Sequence, residues 1–294
     1  MIYKNGNTIV EIKSDGTKIR YTPDNKPANP IFPESIDMKI CNRCLIDPPC
    51  PMCHEQSCPN GKLANLKHPL IDSLSPYTEI AIGGGDPMEH PDLEEFLEKL
   101  KQKQVFANIT VHWKSFLKNY ERLKYFTENS LIYGLGVSIN EVVPCEVIDK
   151  VSEFKNAVVH CVIGVADEAV YRQIEDRNLN VLLLGYKTFG RGLAYRAYNS
   201  LDIMNKINWV KENIQDFVNH FRAVSFDNLS IEQLEMKTRL NKDTYDQIYM
   251  GEDGSFTMYV DIVEETYAVS SISKRHNIKS NDIKDLFKSV REMR

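Results

Sequence analysis

Apolar and polar residues alternate with a period of two in short runs along this chain, and between those runs apolar residues recur every three to four positions. The period-two runs predict strands at about residues 36–40, 79–82, 107–111, 131–139, 157–162 and 180–184. The segments DLEEFLEKLKQK and SFLKNYERLKYF carry the helical period between them. Strands that alternate with amphipathic helices read as βα units of a parallel sheet, an α/β fold whose sites lie at the carboxyl ends of the strands. Six strands are fewer than a closed eight-stranded barrel requires.

The flanks read differently. Residues 7–22 alternate around Ser14-Asp15-Gly16-Thr17, which predicts an N-terminal β-hairpin, and YTPDNKPANPIFPES, with four prolines, predicts an extended connector. From Leu201 a long amphipathic helix is expected, with Trp209 and Phe217 in the core, then a short strand AVSFD and a helix LSIEQLEMK. The stretch MGEDGSFTMYVDIVEETYAVSSI reads as two antiparallel strands with a turn at Asp253-Gly254. A last helix docks by Ile283, Leu286, Phe287 and Val290. The division is therefore 1–32, hairpin and connector; 33–199, the βα unit; and 200–294, a C-terminal α+β extension that closes the open side and shapes a substrate pocket.

With 294 residues, 42% of them hydrophobic, the chain can build a core without staples. The net charge of -5 gives no indication of a nucleic-acid surface. No apolar run approaches the ~18 residues of a membrane span, and no basic region precedes an apolar leader. A cytoplasmic protein with reduced thiols is expected.

Five of the seven cysteines fall between Cys41 and Cys58, in CNRCLIDPPCPMCHEQSC. Two chemistries fit reduced thiols at this spacing. Cys41, Cys44, Cys50 and Cys53 form two CxxC pairs, the grammar of a structural zinc in an interaction module, although five intervening residues are few for a zinc ribbon. Cys44, Cys50 and Cys53 alone form C-x5-C-x2-C, a loop that holds three irons of a 4Fe-4S cluster and leaves the fourth open to chemistry.

The run PESIDMKI, the cysteine loop and HEQS together resemble the opening of the radical S-adenosylmethionine (radical SAM) superfamily, in which a strand leads into C-x3-C-x2-C and an aromatic residue. Here the first gap is two residues longer and His54 holds the aromatic position. The resemblance points to Cys44 as the first ligand, with Cys41 at the end of strand one and Cys58 spare. It implies a partial (βα)6 TIM-like barrel and a 4Fe-4S cluster. S-adenosyl-L-methionine would be cleaved on that cluster to a 5'-deoxyadenosyl radical that abstracts hydrogen from a substrate. It further implies a flavodoxin or ferredoxin type reductant, and as a whole the chain resembles members encoded in phage and mobile-element genomes. A non-catalytic member of the superfamily is the other reading of the altered gap.

YTEIAIGGGDPMEHP runs from an apolar strand into three glycines, which let a backbone approach a ligand where a Cβ would clash. It resembles the family's Gly-Gly-Glu motif for the amino group of S-adenosylmethionine, and so implicates Gly83, Gly84, Gly85 and Asp86. By the same resemblance Ser138 and Asn140, after the fourth strand, reach a ribose hydroxyl. Val162, Gly164 and Asp167 are spaced like the adenine-side G-x-I-x-G-x-x-E motif, with His160 where its first glycine would stand. Gly185 and Tyr186 put a flexible backbone and an aromatic ring at the mouth, and Lys187 or Arg191 offers a cation for a carboxylate. His112 and His160 end strands as well, but a lone histidine is more often a satisfied core residue.

Overall fold

The structure is a computed structural model that describes residues 1–13, 18–23 and 26–294. Its N-terminal strands β1 (Ile2–Asn5), β2 (Thr8–Ile12) and β3 (Lys18–Tyr21) form an antiparallel three-stranded sheet. The expected hairpin is β2–β3, paired from Ile12↔Lys18 to Ile9↔Tyr21, and its expected turn at 14–17 lies outside the described residues. The expectation missed β1, which folds onto β2 through Gly6. Tyr3, Val10 and Phe32 form a small core beneath this sheet, and Arg20 pairs with the buried Glu34 at 2.7 Å. Both contacts sit at the amino end of the next strand, far from the strand ends where chemistry is expected.

Among the described residues the main sheet has ten strands, of which six follow one another in chain order and run parallel, as the alternation predicts. They are β4 (Ser35–Cys41), β5 (Glu79–Gly84), β6 (Phe106–His112), β7 (Gly134–Ser138), β8 (Ala157–Val162) and β9 (Asn180–Leu184). The crossovers carry α1 (Pro69–Asp72), α2 (Leu93–Gln102), α3 (Trp113–Lys118), α4 (Tyr120–Glu128), α5 (Cys145–Ser152) and α6 (Glu168–Ile174). Period two decides what each strand face meets. Ile36, Met38, Ile80, Ile109, Val137 and Val159 are buried under the helices, where Phe96, Leu97 and Val147 face them. Alternate residues, among them Asn108, Thr110, Ser138 and His160, lie half-buried on the opposite face, which is polar and open.

The C-terminal part does more than append strands. Helix α7 (Arg191–His220) runs across the expected 199/200 boundary and departs from helical geometry only at Asn199. Phe217 is buried, while Trp209 is half-buried and stacks on Tyr171 with centroids 5.5 Å apart. Strand β10 (Ala223–Phe226) then pairs parallel with β9, and after α8 (Asn228–Gln233), α9 (Met236–Arg239) and α10 (Lys242–Ile248), strand β11 (Thr257–Asp261) pairs parallel with β4. The parallel run thus has eight neighbours where six were expected, because each edge of the six presents unpaired backbone groups that a further strand satisfies. Strands β12 (Thr266–Ala268) and β13 (His276–Asn277) continue antiparallel. The expected antiparallel pair is therefore β11–β12, wholly beyond Asp253-Gly254. At the start of α8, Asn228 donates to the carbonyl of Gly251 (3.1 Å) and to the carboxylate of Asp253 (2.6 Å), which ties the two ends of the parallel run through a loop. Helix α11 (Ile283–Glu292) docks by Ile283, Leu286, Phe287 and Val290 as expected.

Candidate active site at the strand ends

Strand β4 delivers the chain to the cysteine loop, and backbone bonds close that loop at its neck. Cys58 N–H donates to the carbonyl of Asn42 (3.1 Å) and Cys44 N–H to that of Cys58 (3.0 Å). Cys44, Cys50 and Cys53 lie between these closures as free, half-buried thiols. Burial pushes Cys50 up to about 11, with Cys53 and Cys44 adding to the rise, and burial also raises Cys44, with a further push from Cys53. The three thiols therefore lie within electrostatic reach of one another. Arg191 pulls both Cys44 and Cys50 back down. Its guanidinium donates to the carbonyls of Cys50 (3.0 Å) and Ser57 (2.9 Å), and its backbone N–H to that of Cys53 (3.0 Å). The cation expected at the mouth for a ligand carboxylate is thus engaged as a clamp on the loop, 141 residues from Cys50 in sequence.

Among the described residues no three His, Cys, Asp or Glu side chains converge as ligands of a single ion do. Cluster thiolates each bind a different iron, so a half-buried, mutually coupled trio beside a guanidinium suits a 4Fe-4S cluster without such convergence. Cys41 stands apart. It is fully buried, its thiol donates to the carbonyl of Asp86 (3.2 Å), and burial pushes it up to about 12. Cys58 and Cys145 are exposed, and Cys161 is buried beneath β8.

Strand β5 brings the glycine run beside this loop, where it packs against the chain itself. A Cβ on Gly84, whose φ is +109°, would stand 2.3 Å from the carbonyl oxygen of Cys41, and one on Gly85 would stand 2.1 Å from that of Arg43. Gly83 alone faces open space, with no atom within 4 Å of a Cβ. Asp86 N–H donates to the Arg43 carbonyl (2.8 Å). The Asp86 carboxylate is buried, caps the short turn Pro87–Glu89 through Met88 N–H (3.1 Å) and bonds Ser115, and burial raises its pKa. Two glycines and the acidic residue therefore lock β5 to the neck of the cysteine loop.

A buried ion network joins the loop to the C-terminal strands, and nothing local in the sequence signals it. Lys39 on β4 pairs with Glu55 (2.8 Å) and with Asp261 on β11 (3.2 Å). Tyr259 donates its hydroxyl to Glu55 (3.1 Å), and Arg275 covers the Tyr259 ring at 3.7 Å. Burial alone would raise the Glu55 carboxyl, but His54 and Lys39 hold it well below the usual carboxylate range. His54, in the position expected for an aromatic residue, lies 3.4 Å from Glu55 and is lowered by burial.

The remaining strand ends hold the other expected residues. Ser138 closes β7 half-buried, and Asn140 accepts from Val162 N–H through its side-chain oxygen (2.7 Å), joining the ends of β7 and β8. Gly164 has φ +97° and packs against Ile203 of α7, while Asp167 caps α6 through Val170 N–H. Gly185 N–H donates to Asp227 (2.9 Å). Tyr186 is buried, with its backbone bonded to Gln233 and its hydroxyl donating to the Gly192 carbonyl (2.6 Å), so it supports the start of α7. Lys187 donates to Ser271 (2.9 Å). His112 and His160 lie half-buried on the open face, each pushed down to about 4 by burial.

No protein-family model and no curated protein matches this chain. Solved structures do. Streptococcus suis SuiB bound to S-adenosylmethionine aligns with a TM-score of 0.59 over 90% of this chain and 69% of that one, at 12% identity. SuiB bound to the precursor peptide SuiA aligns with a TM-score of 0.58 over 90% and 66%, at 14% identity. The chain spans about two-thirds of SuiB's length, and at such identities what the two proteins share is the fold.

Proposed function

We propose that this chain is a radical SAM enzyme, with Cys44, Cys50 and Cys53 as the thiolates that would hold a 4Fe-4S cluster. One observation carries the reading: a closed loop presents three coupled thiols at the carboxyl end of the first of six consecutive parallel strands, with β5 and its glycines locked against the loop. Its likeness in fold to SuiB, solved with S-adenosylmethionine bound, supports it. When bound, the cluster and S-adenosylmethionine supply a 5'-deoxyadenosyl radical that takes a hydrogen atom from the substrate.

The chain's own residues do the positioning. Arg191 fixes the loop carbonyls and favours thiolate at Cys44 and Cys50. The cofactor would lie over the strand ends, against Gly83 at the close of β5, Ser138 at the close of β7 with Asn140 beyond it, and Val162 at the close of β8 with Gly164 beyond it. In this reading residues 33–199 form a partial (βα)6 barrel, and residues 200–294 wall the substrate pocket. A flavodoxin or ferredoxin type protein would supply the electron. The zinc reading is disfavoured because its fourth ligand, Cys41, is a buried thiol already bonded to Asp86.

The test is anaerobic reconstitution with iron and sulfide, iron counting, and an assay for 5'-deoxyadenosine after adding dithionite and S-adenosylmethionine. About four irons per chain with deoxyadenosine release is expected. Cys44→Ser should lose iron and Cys41→Ser should keep it. One tightly held zinc, lost in Cys41→Ser, with no cofactor cleavage would overturn the proposal, and cluster binding without cleavage would make the chain a non-catalytic member.

A further inference from the structure

The open face of the parallel run carries small residues on two of its strands. Ala81 and Gly83 stand on β5 and Gly134 and Gly136 on β7, and the neighbours of β7 lean into the space its missing side chains leave. A Cβ on Gly134 would stand 2.7 Å from the Asn108 side-chain oxygen, and one on Gly136 would stand 2.5 Å from the His160 ring. Asp37 projects onto the same face from β4, in register with Ala81 on one side and Tyr259 on the other. Water reaches it although the protein packs closely around it, and it makes no hydrogen bond or ion pair with any described residue. That isolation is unusual here, because every other carboxylate near it is engaged. Glu55 and Asp261 hold Lys39, Asp227 caps α8 and bonds Gly185, and Asp253 accepts from Asn228. The protein packed around Asp37 raises its carboxyl above the ordinary value and Asp253 and Asp227 add to the rise, while Lys187, whose ammonium is turned to Ser271, lowers it.

We propose that Asp37 is a recognition group for an ammonium group carried by the substrate into this open face. Asp37, Asp253 and Asp227 against the single engaged cation Lys187 leave these groups two negative charges in excess, and a substrate cation at Asp37 offsets one of them. Four residues of strand separate Asp37 from Cys41, roughly 13 Å at the rise of a parallel strand. A cation at Asp37 therefore sits below the strand ends and belongs to the substrate, not to S-adenosylmethionine. The inference names a substrate class for the proposed enzyme and rests on that reading for the word substrate, but its test reads binding alone.

Methyl NMR of the full chain, titrated with n-butylammonium, n-butyrate and n-butanol, is the experiment. Saturable shifts are expected for n-butylammonium only, centred on Ala81 and neighbouring strand methyls. Asp37→Asn should weaken them at least tenfold, and Lys187→Met should tighten them. Binding that is unchanged in Asp37→Asn, preference for butyrate, or displacement of butylammonium by S-adenosylmethionine would each overturn the assignment. Failure of cofactor cleavage would leave this result intact, so the two readings fail separately.

Discussion

Removing the Arg191 guanidinium should loosen the cysteine loop without unfolding the protein. Arg191→Met keeps the backbone N–H bond to Cys53 and much of the stem's packing, and deletes the bonds to Cys50 and Ser57. A hydrogen bond from a charged donor contributes ~1.5–3 kcal/mol. Taking the lower figure twice, because the group is only half-buried, gives about 3 kcal/mol, or roughly a hundredfold in the opening equilibrium. The loop is otherwise held by a few backbone bonds at its neck, so the loss should appear as local opening before global unfolding. Hydrogen exchange read on peptides covering residues 44–58 checks this, with peptides from α2 and α5 as internal controls. Arg191→Lys should fall between, since an ammonium cannot fork to two carbonyls as a guanidinium does. Loop exchange within threefold of the parent in Arg191→Met, or an equal rise in every peptide, would refute the clamp.

Three further outcomes are expected. Gly85→Ala should cost ~1–3 kcal/mol or more in denaturant unfolding, because its Cβ meets the backbone of Arg43, whereas Gly83→Ala should leave the midpoint unchanged. His112 and His160 are pushed down to about 4 from the usual 6.5, so the unfolded chain binds more protons between those values. Stability is then present above about pH 6.5 and lost as the pH falls toward 4, by up to about 3 kcal/mol per histidine; His160→Asn should flatten that slope in pH-dependent melts. Tyr259→Phe removes one bond to Glu55 and should cost about 1 kcal/mol, and Glu55→Gln should cost more by leaving the buried Lys39 with Asp261 alone. Equal denaturant midpoints for the two variants would argue against the network.

What the chain determined by itself is local. Period two over 36–40, 79–82 and 107–111 and the helical period between them place six parallel strands, because burial of one face writes itself into adjacent residues. The docking side of α11 follows from the same rule, and the clustering of Cys44, Cys50 and Cys53 in one loop follows from their closeness in sequence. Strand β1 escaped because its inward positions are Tyr3 and the polar Asn5, so its four residues show no apolar alternation. The parallel pairing of β10 with β9 and of β11 with β4 escaped because a strand's pattern names the face it buries and not its neighbour. Tertiary structure alone decided the partners. It turned Arg191 from a ligand cation into a clamp on Cys50, set Gly84 and Gly85 against Cys41 and Arg43, joined Glu55 to Tyr259 across 204 residues, and gave Asp37 no hydrogen bond or ion pair among the described residues. A side chain's charge is written at its own position, but the groups that neutralise it arrive from strands far along the chain, and no local spacing encodes their arrival.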